Sequence, residues 1–299
     1  MDEQWLTRVQ QLRRWTRGGE RAPHKPLLLL FMLGRLQRGL TGPVTFIDIE
    51  GPLAALLRDF GPARASYHPE FPFHHLTSDG LWVISDAAGK DARPLGTAAG
   101  RLRSAGAAGQ VEAEFERALI ADPVLLAAVV RALLDANFAP SLHEDLLART
   151  GLALEVAETA AGPAGRRRDA TFRDRILIAY ECRCAICGYD GWIDGEVIGL
   201  DAAHVRWWAI GGPDSVDNGL ALCALHHRLF DRGVLGLADD GTVMVSQLFV
   251  GRAPAAQAHV VSLAGAQLYS PQPGHPAVAS THRSWHSAQV FRGPARLAA

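Results

Sequence analysis

The chain has 299 residues, of which 48% are hydrophobic and 20% are charged. This composition excludes a disordered polypeptide, and the length predicts about two domains. The longest apolar run, residues 26–33, is far shorter than the roughly 20 residues that cross a bilayer, so we expect no membrane contact. The net charge of −1 provides no global attraction to polyanions, and any nucleic-acid surface must be local.

The first residues begin acidic and contain no apolar signal-peptide core, so we expect a cytoplasmic protein. All four cysteines lie between Cys182 and Cys223. In a cytoplasmic protein such a cluster favours a metal site over disulfides.

The first half of the chain predicts a mixed domain of helices and strands. Pro26 suits the first position of a helix, and Asp122 can cap another. Residues 67–76 hold too many prolines and histidines for a regular element. A strand is expected at residues 81–85, and helices are expected at residues 4–15, 27–36, 48–60, 112–120, 123–137 and 142–149.

Small residues, a proline and a run of arginines at residues 157–168 are typical of a linker. We therefore expect one domain at residues 1–160, a linker at 161–170 and a second domain at 171–299. The arginines at 166–168 are either a solvated hinge or, in a DNA-binding protein, a contact to the DNA backbone.

The second domain also mixes helices and strands, which predicts an α+β fold for the whole chain. A hairpin turn is expected at residues 239–241. Helices are expected at residues 171–180 and 224–230, and strands at 197–203, 234–237 and 242–245.

Two pairs of metal-ligand residues share one spacing in this domain. Cys184 and Cys187 form the first pair, and Cys223 and His226 form the second. Each pair can present two ligands to one tetrahedral ion, so together they predict a structural Zn²⁺ site. A set of buried free cysteines or a redox pair would be the alternatives. Cys182 belongs to neither pair.

Three further polar residues lie around these pairs. His204 is expected at the end of a strand, Asn218 in a loop, and His227 on the following helix. Phosphodiester hydrolysis needs a base that deprotonates water, for which a neutral imidazole suits, and a divalent cation that offsets charge on the phosphate. A structural zinc would hold the strand and the helix at a fixed separation.

With these motifs, residues 184–237 resemble an HNH nuclease of the ββα-metal superfamily. The resemblance implies His204 as the general base, Asn218 as the residue that orients the base loop, and His227 as a ligand of a catalytic Mg²⁺ or Mn²⁺ ion. Many family members carry an acidic metal ligand just before the base, but Ala203 stands there in this chain. Asp201 is the nearest candidate for a second ligand.

The first domain has two unusual segments. Residues 22–26 place His24 and Lys25 at a helix start, where backbone N–H groups favour an anion. Residues 67–75 combine three aromatics, two prolines and three histidines. From residue types alone, this second segment favours core packing and a rigidified loop.

The two segments together resemble the sulfur-binding domain of restriction endonucleases that recognise phosphorothioated DNA, in which an HNH domain follows. Sulfur keeps the negative charge of the phosphate but accepts hydrogen bonds poorly, so a small apolar pocket favours it over oxygen. Phe71 stands where the family usually has a tyrosine. The resemblance implies a DNA- and sulfur-binding set of Arg21, His24, Lys25, Tyr67, Pro69, Phe71, Pro72 and His75.

The sequence therefore predicts an N-terminal sulfur-binding-type domain and a C-terminal HNH endonuclease domain that together restrict phosphorothioated double-stranded DNA. Two alternatives stay open: an HNH nuclease that reads a modified base or another DNA feature, and a non-cutting DNA-binding protein, for which Ala203 argues. One nuclease site per chain would cut both strands as a homodimer or by two sequential nicks.

Overall fold

The computed structural model describes residues 2–13, 20, 22–154, 169 and 171–297. Its contacts divide the chain into two compact units, Met1–Arg166 and Arg167–Ala299. Both units combine helices with short antiparallel sheets, which confirms the predicted α+β class. None of the described helices has the length and apolar character that crossing a membrane requires.

The first unit is built around a helix that is mostly buried. Its described residues form helices α1 (Asp2–Gln10), α2 (His24–Gln37), α3 (Phe46–Phe60), α4 (Glu70–His75), α5 (Ala99–Ser104), α6 (Ala113–Ala121), α7 (Pro123–Asp135) and α8 (His143–Thr150). The run of leucines at residues 27–30 in α2 is almost completely buried. Because most of its residues are apolar, α2 is covered by α3, α4, α6, α7 and α8.

A three-stranded antiparallel sheet completes this unit. It consists of β1 (Val44–Thr45), β2 (Trp82–Ser85) and β3 (Ala108–Val111), in the order β1-β3-β2. The buried Trp82 donates a hydrogen bond of 2.9 Å from Nε1 to the carbonyl oxygen of Phe73. This bond connects the sheet to α4, which carries several of the predicted sulfur-binding residues.

The prediction that residues 67–76 form no regular element is wrong, because α4 and a 3-10 turn at Leu76–Asp79 occupy most of them. Pro72 is tolerated at the third position of α4, since the N–H groups of a first helical turn have no partner within the helix. The helix is held by Phe73, whose ring packs edge-on against Phe46 at 5.0 Å and Trp82 at 5.7 Å.

Other boundaries in the first unit also differ from the predictions. Pro26 is the third residue of α2 rather than its first, so His24 and Lys25 lie inside the first turn. Helix α1 ends at Gln10, before the predicted end at residue 15. The predicted cap is confirmed, because the side chain of Asp122 accepts hydrogen bonds from the first turn of α7.

The second unit contains a β-hairpin followed directly by a helix. Strands β6 (Leu200–His204) and β7 (Gly219–Cys223) pair antiparallel, with His204 opposite Gly219 and Leu200 opposite Cys223. Helix α10 (Ala224–Asp231) begins where β7 ends, and α9 (Phe172–Ala179) packs on both strands. The remaining elements are β4 (Trp192–Ile193), β5 (Glu196–Val197), β8 (Leu235–Leu237), β9 (Val243–Val245), α11 (Pro254–His259) and α12 (Ser280–Gln289).

The hairpin predicted at residues 234–245 is confirmed, because β8 and β9 pair antiparallel. The single strand predicted at residues 197–203 is wrong. The chain breaks there at Gly199, whose φ of +74° lies outside the strand region, and two separate strands result.

The sheet of the first unit provides a test of its packing. A Cβ at Gly109 would lie 2.1 Å from Cζ2 of Trp82, whose ring is buried and hydrogen-bonded. We expect Gly109→Ala to lower the free energy of unfolding by about 1–3 kcal/mol through overpacking. Chemical denaturation followed by tryptophan fluorescence measures this change.

Gly100→Ala is the matched control, since no atom lies within 4 Å of a Cβ placed at this position in α5. We expect it to raise stability by about 0.5–1 kcal/mol, because alanine loses less backbone entropy in a helix. Equal unfolding midpoints for the two variants would contradict the packing described for Trp82.

Candidate functional site

A cavity of about 800 Å³ lies in the first unit, beside the starts of α2 and α4. One part of its lining is apolar and consists of Leu57, Pro62, Tyr67, Phe71 and Pro72. Phe71 is 43% exposed, and its ring stacks on His68 with 4.9 Å between the centroids. The cavity therefore contains an accessible aromatic surface next to polar groups.

Two of the basic groups that line the cavity have acidic partners. Nζ of Lys25 lies 2.6 Å from Oδ2 of Asp79, and Nη2 of Arg64 lies 3.4 Å from Oε2 of Glu20. Burial, helped by the nearby charge of Arg64, lowers the pKa of His24 below its usual value. His24 is therefore neutral at pH 7, and one of its ring nitrogens can donate a hydrogen bond.

Most of the predicted sulfur-binding residues meet at this cavity. Pro69 does not line it; it is buried and precedes the first residue of α4. Arg21 lies outside the described residues. The predicted residues in the lining are His24, Lys25, Tyr67, Phe71, Pro72 and His75.

In the second unit, the ligand atoms of Cys184, Cys187, Cys223 and His226 all lie within 4.8 Å of one another. Sγ of Cys187 is 4.0 Å from Sγ of Cys223, which in turn is 3.2 Å from Nδ1 of His226. A tetrahedral zinc site would separate two sulfurs by about 3.8 Å and a sulfur from a nitrogen by about 3.5 Å. The four residues fit a structural metal site.

The surroundings of these ligands also fit a metal. Nε2 of His226 lies 2.9 Å from the carbonyl oxygen of His259, to which it can donate. This contact leaves the lone pair on Nδ1, the nitrogen that faces the sulfurs. The neighbouring Cys223 thiol and the His226 ring lower the pKa of Cys184 to about 3, so this sulfur is a thiolate, the form that binds metals.

The three residues of the predicted nuclease site lie on the hairpin and on the helix that follows it. His204 is the last residue of β6. Its Nε2 lies 2.7 Å from Oδ1 of Asp214, and its ring stacks on Phe172 with 4.1 Å between centroids. The contact with Asp214 thus fixes the direction of the imidazole, and the stacking contact with Phe172 supports one face of the ring.

Asn218 is completely buried and precedes β7. Its Nδ2 donates to the carbonyl oxygens of Arg206 at 3.0 Å and Pro213 at 2.9 Å, and its Oδ1 accepts from the Arg206 N–H at 2.8 Å. These three hydrogen bonds hold together the loop that follows His204. The position fits the predicted role of orienting the base loop.

His227 lies on α10 between two carboxylates. Its Nδ1 is 3.4 Å from Oδ2 of Asp201, and its Nε2 is 3.3 Å from Oδ2 of Asp231. Burial lowers the pKa of His227, but hydrogen bonds with Asp201 and Asp231 outweigh this effect and raise it to about 10. Asp231 is itself fixed, because its Oδ1 accepts from Nε1 of Trp207 at 3.0 Å.

The two candidate ligands of a catalytic ion, His227 and Asp201, are therefore neighbours. Asp201 is well placed to meet an ion, since its side chain is 56% exposed. Ala203, two residues further along β6, is completely buried in the core of this unit. A larger acidic side chain would not fit at that position without repacking.

The sequence did not predict two carboxylates that contact candidate site residues: Asp214, which contacts His204, and Asp79, which contacts Lys25. Asp214 follows a Gly-Gly-Pro segment between His204 and Asn218. That turn signal could have indicated a return of the chain toward the base. No comparable local signal marks Asp79, whose pairing with Lys25 spans 54 positions.

Comparisons with known proteins agree with the two-part organisation. Residues 2–155 match the family described as ScoMcrA-like, DNA sulfur-binding domain, and residues 184–238 match the HNH endonuclease family. A search of curated proteins found no match.

The chain is also similar to parts of several solved structures. The sulfur binding domain of SprMcrA complexed with phosphorothioated DNA is 27% identical over 51% of this chain and 94% of that chain, with a TM-score of 0.44. The corresponding complex of ScoMcrA is 20% identical over 50% of this chain and 95% of that chain, with a TM-score of 0.42. The modification-dependent TagI restriction endonuclease is 22% identical over 46% of this chain and 41% of that chain, with a TM-score of 0.30.

The family match spans more than half of the chain and includes both unusual segments, residues 22–26 and 67–75. The second match spans both pairs of metal ligands together with His204, Asn218 and His227. The chain therefore belongs to the ScoMcrA-like DNA sulfur-binding domain family, and an HNH endonuclease domain follows in its second unit.

Proposed function

We propose that this protein is a modification-dependent endonuclease that binds phosphorothioated double-stranded DNA and hydrolyses its phosphodiester bonds. One observation carries the proposal: a single chain joins a domain of the DNA sulfur-binding family to an HNH domain that retains His204, Asn218 and His227. The first domain would select the DNA, and the second would cut it.

The lining of the cavity supports the choice of sulfur over oxygen. A phosphorothioate and a phosphate carry the same charge, so Lys25 and Arg64 attract both. The apolar surface of Phe71 and Pro72 distinguishes them, because an oxygen placed there would lose its hydration without gaining a hydrogen bond. His24 and His75, which also line the cavity, would contact the neighbouring phosphate or base edges.

In the second domain, His204 would act as the general base and Asn218 would keep its loop in place. His204 takes a proton from water, the water oxygen bonds to phosphorus, the bond to the leaving oxygen breaks, and that oxygen takes a proton from solvent. After losing the extra proton that Asp201 and Asp231 favour, His227 would hold Mg²⁺ or Mn²⁺ together with Asp201. The ion would offset the charge that builds on the phosphate. Asp231 would keep the ring of His227 in position.

Zinc is the metal that best suits the cluster of three cysteines and His226. Three sulfurs and one imidazole nitrogen would complete a tetrahedral coordination shell with no open position, which is typical of structural rather than catalytic zinc. We propose that this ion stabilises the fold of the HNH domain and takes no part in the chemistry.

Cleavage of matched plasmids tests the proposed function. With Mg²⁺ or Mn²⁺ present, we expect the full chain to cut phosphorothioated plasmid and to leave the same plasmid without sulfur intact. His204→Ala should reduce the cleavage rate by at least about 10²-fold, because the general base is lost, while a gel-shift assay shows unchanged binding.

The outcomes of this assay separate the alternatives. Equal cleavage of both plasmids would refute sulfur recognition and leave the nuclease in place. Binding of the modified plasmid without metal-dependent cleavage by the parent protein would instead establish a non-cutting DNA-binding protein.

Phe71 tests the apolar part of the cavity. We expect Phe71→Ala to weaken binding of a phosphorothioated duplex about tenfold, equivalent to ~1.4 kcal/mol, because the surface that favours sulfur is lost. Binding of the unmodified duplex should change much less. Fluorescence anisotropy with the two duplexes measures both affinities.

Ile120→Ala is the control, since Ile120 is 55% exposed in the same unit and lies outside the cavity lining. It should leave both affinities unchanged. An equal loss of affinity for both duplexes in Phe71→Ala would show that this ring contributes to affinity but not to the preference for sulfur.

The cysteines test the structural metal. We expect Cys184→Ser to release zinc and to lower the thermal stability of the second domain, because the metal contributes folding energy directly. Cys182→Ser, which changes a cysteine outside the cluster, should keep both the bound zinc and the thermal stability of the second domain. Elemental analysis and calorimetry of the purified proteins provide the readouts, and equal zinc contents in the two variants would contradict the assignment.

A further inference from the structure

Asp214 contacts the proposed general base from the loop that joins β6 to β7. Its Oδ1 lies 2.7 Å from Nε2 of His204, and both side chains are only 14% exposed. The short distance and the burial distinguish this pair from an exposed ion pair, which solvent would screen. Asp214 is not one of the three residues that define the HNH motif, although it lies between two of them, His204 and Asn218.

Asp214 is itself held from the start of α9. Its Oδ2 accepts from the backbone N–H of Asp169 at 3.1 Å, and its carbonyl oxygen accepts from Nη2 of Arg175 at 2.8 Å. The same helix supplies Phe172, whose ring lies almost parallel to that of His204, with 17° between the planes. Carboxylate and imidazole are therefore positioned by one set of contacts.

The contact decides which nitrogen of the base carries the proton. An ionised carboxylate only accepts hydrogen bonds, so Nε2 of His204 carries the hydrogen and donates it to Asp214. A neutral imidazole has one N–H and one lone pair, and the lone pair then lies on Nδ1. Once Nδ1 has taken a proton, the carboxylate also stabilises the resulting cation.

We propose that Asp214 is a positioning residue that fixes His204 in the Nε2–H tautomer, with Nδ1 as the atom that accepts the proton of water. This inference rests on the proposed nuclease function, because it assigns the proton transfer to one atom of its base. The remaining steps of the hydrolysis are unchanged. Asp214 touches neither water nor phosphate in this scheme and acts through His204.

Asp214→Asn separates this role from a merely structural one. An asparagine can still accept the N–H of Asp169 through its Oδ1 while its amide donates to Nε2 of His204. The fold is kept, but the proton of His204 moves to Nδ1, where it blocks the acceptor. We expect the cleavage rate constant to fall about 10²-fold or more, with unchanged affinity for the phosphorothioated duplex.

Two further variants accompany the measurement on the full chain. Asp214→Glu keeps the carboxylate and should cut faster than Asp214→Asn but more slowly than the parent. Asp239→Asn makes the same chemical change at an exposed position in the turn before β9 and should cut at the parent rate. Zinc content and thermal unfolding of each variant show whether it is folded.

The tautomer itself is read by nitrogen–proton NMR correlation spectra of the protein labelled with ¹⁵N-histidine, with the His204 signals assigned by loss in His204→Gln. We expect Nε2–H in the parent and in Asp214→Glu, and Nδ1–H in Asp214→Asn. An unchanged tautomer in Asp214→Asn, or cleavage at the parent rate, overturns the proposal.

The spectra also keep the two proposals distinguishable. If the parent cuts no DNA, the proposed nuclease function fails. The tautomer of His204 in the parent and in Asp214→Asn then still decides whether Asp214 positions the ring.

Discussion

In the HNH half of the molecule, the ligand atoms of four residues lie close enough together to share one metal ion. Cys184 and Cys187 come from the turn before the hairpin, whereas Cys223 and His226 come from the junction of β7 and α10. A structural zinc contributes apparent binding energies of about 10–16 kcal/mol in small zinc-dependent domains. This is comparable to the whole stability of an ordinary domain, about 5–15 kcal/mol. A metal at this point would therefore decide whether the HNH unit is folded.

The location of this cluster also explains how the reactive groups are placed. Leu200 pairs with Cys223 at the cluster end of the hairpin, and His204 pairs with Gly219 at the other end, about 13 Å away along the strand. His227 directly follows the ligand His226 and so points to a different side of α10. One anchored junction thus sets the direction of both the strand that ends in the base and the helix that carries the candidate ligand of the catalytic ion.

In the proposed function, the division of labour between the two units follows from the chemistry of phosphorothioated DNA. Charge cannot distinguish a phosphorothioate from a phosphate, so selection would need an apolar surface such as the one around Phe71 in the first unit. Hydrolysis needs the opposite environment, with a base, a cation and water. Separate units allow each environment to be built without compromising the other, so that one unit would read the DNA and the other would cut it.

Much of the functional site was predictable because its signals are local. The spacing of Cys184 and Cys187, and of Cys223 and His226, is visible in the sequence, as are the positions of His204 and His227 relative to them. The helix α4 was not predictable, because it is stabilised by distant partners, Trp82 and Phe46, against the local preferences of Pro72 and its histidine neighbours. The Asp214 contact depends on the shape of an entire loop, which Asn218 holds together.

Zinc K-edge X-ray absorption on the purified protein tests most directly that a thiolate-bound metal organises the nuclease unit. We expect about one zinc per chain, with three sulfur neighbours at about 2.3 Å and one nitrogen neighbour at about 2.0 Å. A protein that is folded and contains no zinc, or a zinc surrounded only by oxygen and nitrogen, would contradict this organisation.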